Sequence, residues 1–129
     1  MASIEFLNLD LDLESNVDLT LLLEEFGESV VVMNHDQGEL NKLSLELAGV
    51  VGRPDDLILE YAKLVENLTE PARKVWDACS KREVDVGFEC EGSVEGSPIG
   101  LTERLSLESI VLLSKLKMTI TITIYSVPA

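Results

Sequence analysis

Hydrophobic and polar residues alternate along several stretches of the chain, and elsewhere they recur at the three-to-four-residue spacing of a helix. Over residues 4–13, Leu7, Leu9, Leu11 and Leu13 share one face while Asn8, Asp10 and Asp12 share the other, which predicts a strand. Ile4 and Phe6 have the opposite parity, so a bulge or a later start of the strand is expected there. Ser15 or Asn16 can cap a helix over 17–26, whose core stripe would be Leu19, Leu22, Leu23 and Phe26, with Gly27 as its stop.

Two strands are predicted over 28–34 and 39–47, joined by the turn residues His35, Asp36, Gln37 and Gly38. Val30 and Val32, then Leu43, Leu45 and Leu47, set their inward phases. A helix over 54–68 opens on Pro54 with Asp55 and Asp56 at its positive end, and buries Leu57, Ile58, Tyr61, Leu64, Val65 and Leu68. Thr69 caps a third helix reaching Arg82, with Ala72, Val75, Trp76 and Cys79 on one side. Residues 83–90 alternate again, with Val84, Val86, Phe88 and Cys90 facing one way, and 91–100 read as a loop. A fourth helix runs from its cap Ser106 to Lys115. It is apolar nearly all round, so it should be well buried or share an interface. A last strand over 118–126 alternates Ile120, Ile122 and Ile124 with threonines.

The order βαββααβαβ predicts an α+β fold: an antiparallel or mixed sheet of about five strands with four helices packed mainly on one face. No repeat or linker divides the chain, and 129 residues suit a single domain. With 46% hydrophobic residues the chain can build a core. The opening residues lack the basic region and apolar stretch of a signal peptide, and no apolar run is long enough for a membrane span; a soluble, cytoplasmic protein is expected.

Charge changes the picture most. The net charge is −14, and residues 1–41 hold ten acids and no Lys or Arg. Through residue 60 there are 14 acids against Lys42 and Arg53, a net of −12, whereas residues 61–129 carry a net of only −2. An acidic face built by the first strand and first helix is therefore expected. It would repel nucleic acid and anionic membranes and attract a basic protein. The residues expected at such a partner surface are Asp10, Asp12, Glu14, Asp18, Glu24, Glu25, Glu28, Asp36 and Glu39, with Val17 and Leu21 as an apolar anchor inside the acidic rim.

Candidate chemistry is sparse. Asp10, Asp12 and Glu14 could offer oxygen ligands to Mg²⁺ or Ca²⁺, but same-face strand residues sit roughly 7 Å apart, too far to share one ion unaided. His35 is the only histidine, and Cys79 and Cys90 fall on inward phases, so both thiols read as buried and inert. No nucleophile elbow, phosphate-binding loop or dinucleotide fingerprint occurs. No catalytic residue, metal or cofactor is expected, and Trp76 is expected in the core.

Several segments, Leu43-Ser44-Leu45, the Pro-Asp-Asp-Leu helix opening at 54–57, Leu-Thr-Glu-Pro at 68–71, Val84-Asp85-Val86, Leu105-Ser106-Leu107-Glu108 and the closing strand with Tyr125, together resemble a family of small bacterial α+β domains of unknown function, over residues 41–126. The resemblance brings no catalytic residues. In size, acidity and cysteine poverty the chain is also similar to bacterial immunity proteins, which neutralise toxins delivered between cells. That likeness implies a non-enzymatic protein covering the basic cleft of a nuclease-type toxin. The alternatives are a structural or homodimeric interaction module, in which the acids keep a Leu-rich domain soluble, and a hydrolase.

Overall fold

The computed structural model describes residues 3–91 and 100–127. Its elements are β1 (Ser3–Ser15), α1 (Thr20–Phe26), a short 3₁₀ turn (Gly27–Ser29), β2 (Val30–Gln37), β3 (Asn41–Leu47), α2 (Pro54–Glu66), α3 (Glu70–Asp77), β4 (Lys81–Glu91), α4 (Leu107–Lys115) and β5 (Thr119–Val127). The five strands form one mixed sheet in the order β2-β3-β1-β4-β5. All neighbours are antiparallel except β4 and β5, which run parallel with α4 between them in the chain. The α+β class and the order of elements are those the hydrophobic pattern predicts.

Helices cover one face of the sheet. Leu9, Leu11 and Leu13 of β1, Leu43 and Leu45 of β3, and Val84, Val86 and Phe88 of β4 are buried in one cluster with Leu19, Leu22 and Phe26 of the α1 region, Leu57, Ile58, Tyr61, Ala62 and Val65 of α2, and Ala72 and Trp76 of α3. Polar groups inside this core find partners: the Tyr61 hydroxyl donates to the Leu45 carbonyl at 3.0 Å, and the Trp76 indole to that of Leu116 at 3.2 Å.

The change of parity in β1 is a bulge at Leu7. Phe6 pairs with Phe88 and Asn8 with Gly87, leaving Leu7 without an opposite number. Phe6 thereby packs edge-on against Phe88, with ring centroids 5.9 Å apart, and Leu7 turns outward.

Several boundaries differ from the sequence expectation. β1 continues to Ser15 because β3 and β4 pair with it on both sides as far as Glu14. Ser15 is fully buried and its Oγ accepts from the Val17 amide at 3.0 Å, so it closes the strand and does not cap the helix. α1 starts later, at Thr20, where Asp18 Oδ1 accepts from the Thr20 amide at 2.8 Å. β2 runs through Gln37 and takes up His35 and Asp36, which moves the turn to residues 38–40. Val32 keeps its inward phase opposite Leu45 but is exposed, since it lies on the edge strand, next to a second bulge before Asn34.

α3 ends at Asp77 and not at Arg82. Ser80 donates from both its amide and its hydroxyl to the Glu14 carbonyl, at 2.8 and 3.2 Å, and draws the chain into the sheet. Arg82 then points to the helix side, where its guanidinium donates to the carbonyls of Trp76 at 3.1 Å, Cys79 at 2.6 Å and Lys117 at 3.1 Å. It thus ties the end of α3 to the turn that follows α4. α4 closes as a Schellman turn: Lys117 takes the left-handed conformation at φ 57°, and Met118 N donates to the Leu113 carbonyl at 2.8 Å. At its other end the Ser106 side chain accepts from the Ser109 amide, as a cap should. This helix is not well buried, because only its Ser109 and Leu113 side turns inward. The loop expected over 91–100 lies almost wholly outside the described residues.

Lysine in place of Arg82 keeps the charge but cannot reach carbonyls in three directions with a planar fork. Arg82→Lys is expected to lower the unfolding free energy by about 2 kcal/mol, read from urea denaturation at unchanged m-value.

Candidate functional site: an acidic open sheet face

Because side chains alternate, whatever a strand does not bury against the helices it presents on the opposite face. On that open face β1 places Glu5, Asp10, Asp12 and Glu14, β3 places Glu46, and β4 places Glu83, Asp85 and Glu89. The strand register sets Asp10 beside Asp85, Asp12 beside Glu83, and Glu14 between Lys42 and Lys81. Like charges in direct cross-strand contact are unfavourable, so the face must contain them by other means.

Hydroxyl groups and Lys81 do so at one end. Ser44 donates to Asp12 Oδ1 at 2.7 Å, Thr123 to Asp85 Oδ1 at 3.0 Å, and Thr121 to Glu83 Oε1. Lys81 Nζ bridges Glu14 at 3.4 Å and Glu83 at 3.3 Å. The Thr121 hydroxyl, together with Lys81, holds the Glu83 carboxyl below the usual range.

The other end has no basic neighbour among the described residues. Asp10 sits on the central strand with Glu46 on one side and Asp85 on the other, and its Oδ1 is buried without a hydrogen-bond partner. Burial first, then the adjacent Glu46 carboxyl, then the charges of Asp12 and Asp85 push its pKa up to about 7. Around neutrality this position gains and loses a proton, which sets the charge at this end of the face.

The residues expected at a partner surface divide between the two sides of the molecule. Asp10, Asp12 and Glu14 lie on the open face, and Asp36 joins them from β2, opposite Lys42. Those of α1 and its flanks lie in the helix layer. Val17, Glu24 and Glu28 are exposed there, Leu21 packs partly against the core, and Asp18 holds the Thr20 amide and hydroxyl. Glu25 is engaged at the start of α3, accepting from Thr69 N at 2.8 Å and Thr69 Oγ1 at 2.5 Å. Glu39 is exposed in the β2–β3 turn. Val17 and Leu21 thus stay with Asp18, Glu24 and Glu25 around α1, apart from the β1 row, with Val17 exposed and Leu21 only partly so.

The carboxylates of β4 escaped the charge count. Glu83 and Asp85 fall in the half of the chain that is nearly neutral, and the positive charges beside them conceal them: Arg82 cancels one acid in the tally but points through to the other face. Alternation within 81–85 was the signal that could have found them.

Nothing comparable assembles around the nucleophiles. Cys79 is buried, donates to the Val75 carbonyl at 3.5 Å, and burial pushes its thiol up to about 11. Cys90 is half-buried, less enclosed than its strand phase implied. His35 lies on β2 in register with Leu43. Grooves of about 340, 590 and 260 Å³ indent the surface, and none is lined by His35 or a cysteine. Among the described residues no three side chains of His, Cys, Asp and Glu are grouped to hold a metal ion. Nor is any described helix long and apolar enough to cross a membrane.

Fold and face together define a small α+β domain whose uncovered sheet surface is strongly acidic. No family model, curated protein or solved structure matches the chain.

The raised Asp10 pKa has a consequence for stability. The folded state holds this proton up to about pH 7, whereas the unfolded chain releases it near 3.8. The resulting stabilisation is complete below the lower value and is lost as pH rises through the upper one. Asp10→Asn is expected to raise the melting temperature by a few degrees at pH 8, to change it little at pH 4, and to flatten the profile between. Equal shifts at both pH values would show that Asp10 does not titrate in this window.

Proposed function

We propose that this protein is a non-enzymatic binding protein whose open sheet face receives a basic protein, and that the partner is a nuclease-type bacterial toxin domain held inactive as by an immunity protein. One observation carries the reading: a row of carboxylates runs across β3, β1 and β4 on a face that no described helix covers, and around Asp10 it is uncompensated by any described base. A nuclease cleft is lined by cations that bind phosphate, so carboxylates on a stiff sheet can occupy it in place of the substrate. The small size and the acidity support the same class. A cytoplasmic location suits a protein that meets a toxin after its entry into the cell.

The rigid sheet favours this over the homodimeric module as the primary role. Carboxylates fixed on strands lose little conformational freedom when a partner docks, and a long-range field from several of them accelerates encounter.

The test uses the toxin domain encoded by a neighbouring reading frame, purified and titrated by stopped-flow. Asp12→Lys with Asp85→Lys is expected to slow association by about tenfold or more at low salt and to flatten its salt dependence, while Asp18→Lys with Glu24→Lys leaves both nearly unchanged. The reverse pattern would move the interface to α1, and a partner that shows no salt dependence would sink the electrostatic reading.

A further inference from the structure

The two edges of the sheet are built differently. β2 carries a bulge between Val32 and Asn34 and a charged residue, Asp36, devices that discourage another strand from adding there. β5 has neither. Its nine residues, Thr119–Val127, include no charge and no proline, and its register against β4 is unbroken from Thr119 to Val127. Among the described residues no strand pairs with its outer edge.

The helix side of β5 is apolar and uncovered. Ile122 and Ile124 are 63% and 64% exposed, and Ile120 is 41% exposed. α4 adds to this surface. Its Leu112 and Glu108 line the groove against α2, and Lys115 pairs with Glu66, so at 100° per residue Leu107 and Ile110 turn towards the flank away from α2. They are 76% and 51% exposed, and Val111 beside them 53%. Scattered apolar side chains on a surface carry no meaning, but a strand row and a helix stripe joined by one short turn make a patch.

We propose that β5 pairs antiparallel with β5 of a second copy of this chain about a two-fold axis at Ile122, so that two five-stranded sheets join into one. With the axis at Ile122, Ile120 meets the partner subunit's Ile124 and Thr121 meets the partner subunit's Thr123, so isoleucine faces isoleucine and threonine faces threonine. Moving the axis to Thr121 would set Ile124 against Met118, and moving it to Thr123 would set Ile120 against Ser126. Pairing at an edge keeps both helix layers on one side of the joined sheet, which brings the Leu107, Ile110 and Val111 stripe of each copy to the seam.

Charge argues for this occupant. Two chains of −14 repel, and a contact made through either acidic half would be opposed. At the β5 seam the nearest acidic rows are Glu83 and Asp85 on β4 of each copy. Three strand spacings separate these rows, about 14 Å, beyond the Debye length of about 8 Å at physiological salt. A basic partner, by contrast, gains nothing from an uncharged strand. The joined sheet would present both acidic faces on the same side, so this assembly is compatible with the proposed function without depending on it.

Sedimentation of the wild-type chain at tens of micromolar should give twice 14.2 kDa, with association strengthened by added salt. Ile122→Lys, at an exposed position, should give a monomer of unchanged far-UV circular dichroism, whereas Asp12→Lys should leave the dimer intact. In a Cys90→Ser background, Ile122→Cys should oxidise to a linked dimer, because the two Cα atoms meet on the axis. Ile120→Cys should not, since its copies lie about 13 Å apart. A wild-type chain that stays at 14.2 kDa to millimolar concentration overturns the proposal, as does a dimer that survives Ile122→Lys. Slow amide exchange in β5 of a monomer would assign its cover to another part of the same chain and overturn it equally.

Discussion

The structure depends on the phase of its central strand. β1 pairs with β4 along almost its whole length and with β3 from Leu11 onward, so its register is fixed from both sides at that end, and its side chains have two destinations. Leu9, Leu11 and Leu13 go to the core while Asp10, Asp12 and Glu14 go to the open face. A slip of one residue would drive three carboxylates into the helix layer and three leucines into water, at several kcal/mol for each buried charge. The register is therefore strongly specified, and it propagates outward: β3 and β4 inherit their faces from β1, and β2 and β5 from those. The bulge at Leu7 lies beyond this stretch, where a change of phase turns Phe6 inward onto Phe88 without disturbing the leucine row.

This constraint also sorts charge, which explains why the count along the chain and the surface of the fold disagree. In residues 81–85 successive side chains point to opposite faces, so Arg82 spends its charge on carbonyls at the ends of α3 and α4 while Glu83 and Asp85 extend the acidic row. A running sum treats these neighbours as cancelling. In space a sheet separates them, and each is held by different partners.

Most of the fold was legible because its signals are local. Alternation located every strand, Pro54 and Ser106 marked helix starts, and the wrong parity of Ile4 and Phe6 announced a bulge. The errors share one cause: long-range bonds overrode local preference. Ser15 had the chemistry of a helix cap but was taken by the end of β1, and α3 was cut short by Ser80 bonding to Glu14, a contact across 66 residues. Half of the candidate site was likewise invisible. Glu46 and Asp85 become neighbours of Asp10 only through the strand order β3-β1-β4, and no spacing within a single strand encodes that order.

The placement of the acids finally limits how strong the face can become. A central strand offers the most rigid platform for a carboxylate, but it is also where neighbouring strands exclude the most water and bring further carboxylates closest. Asp10 occupies that position and responds by holding its proton to near neutrality, whereas Glu14 and Glu83, nearer the end of the row, share Lys81. A cationic partner would reverse that balance, since a positive side chain placed at Asp10, Glu46 and Asp85 favours the ionised carboxylate and removes the repulsion that the isolated fold bears. Part of the binding energy would thus come from relieving strain already present in the free protein. For that reason the uncompensated end of the face, and not the end that Lys81 already bridges, is where docking of such a partner would gain most.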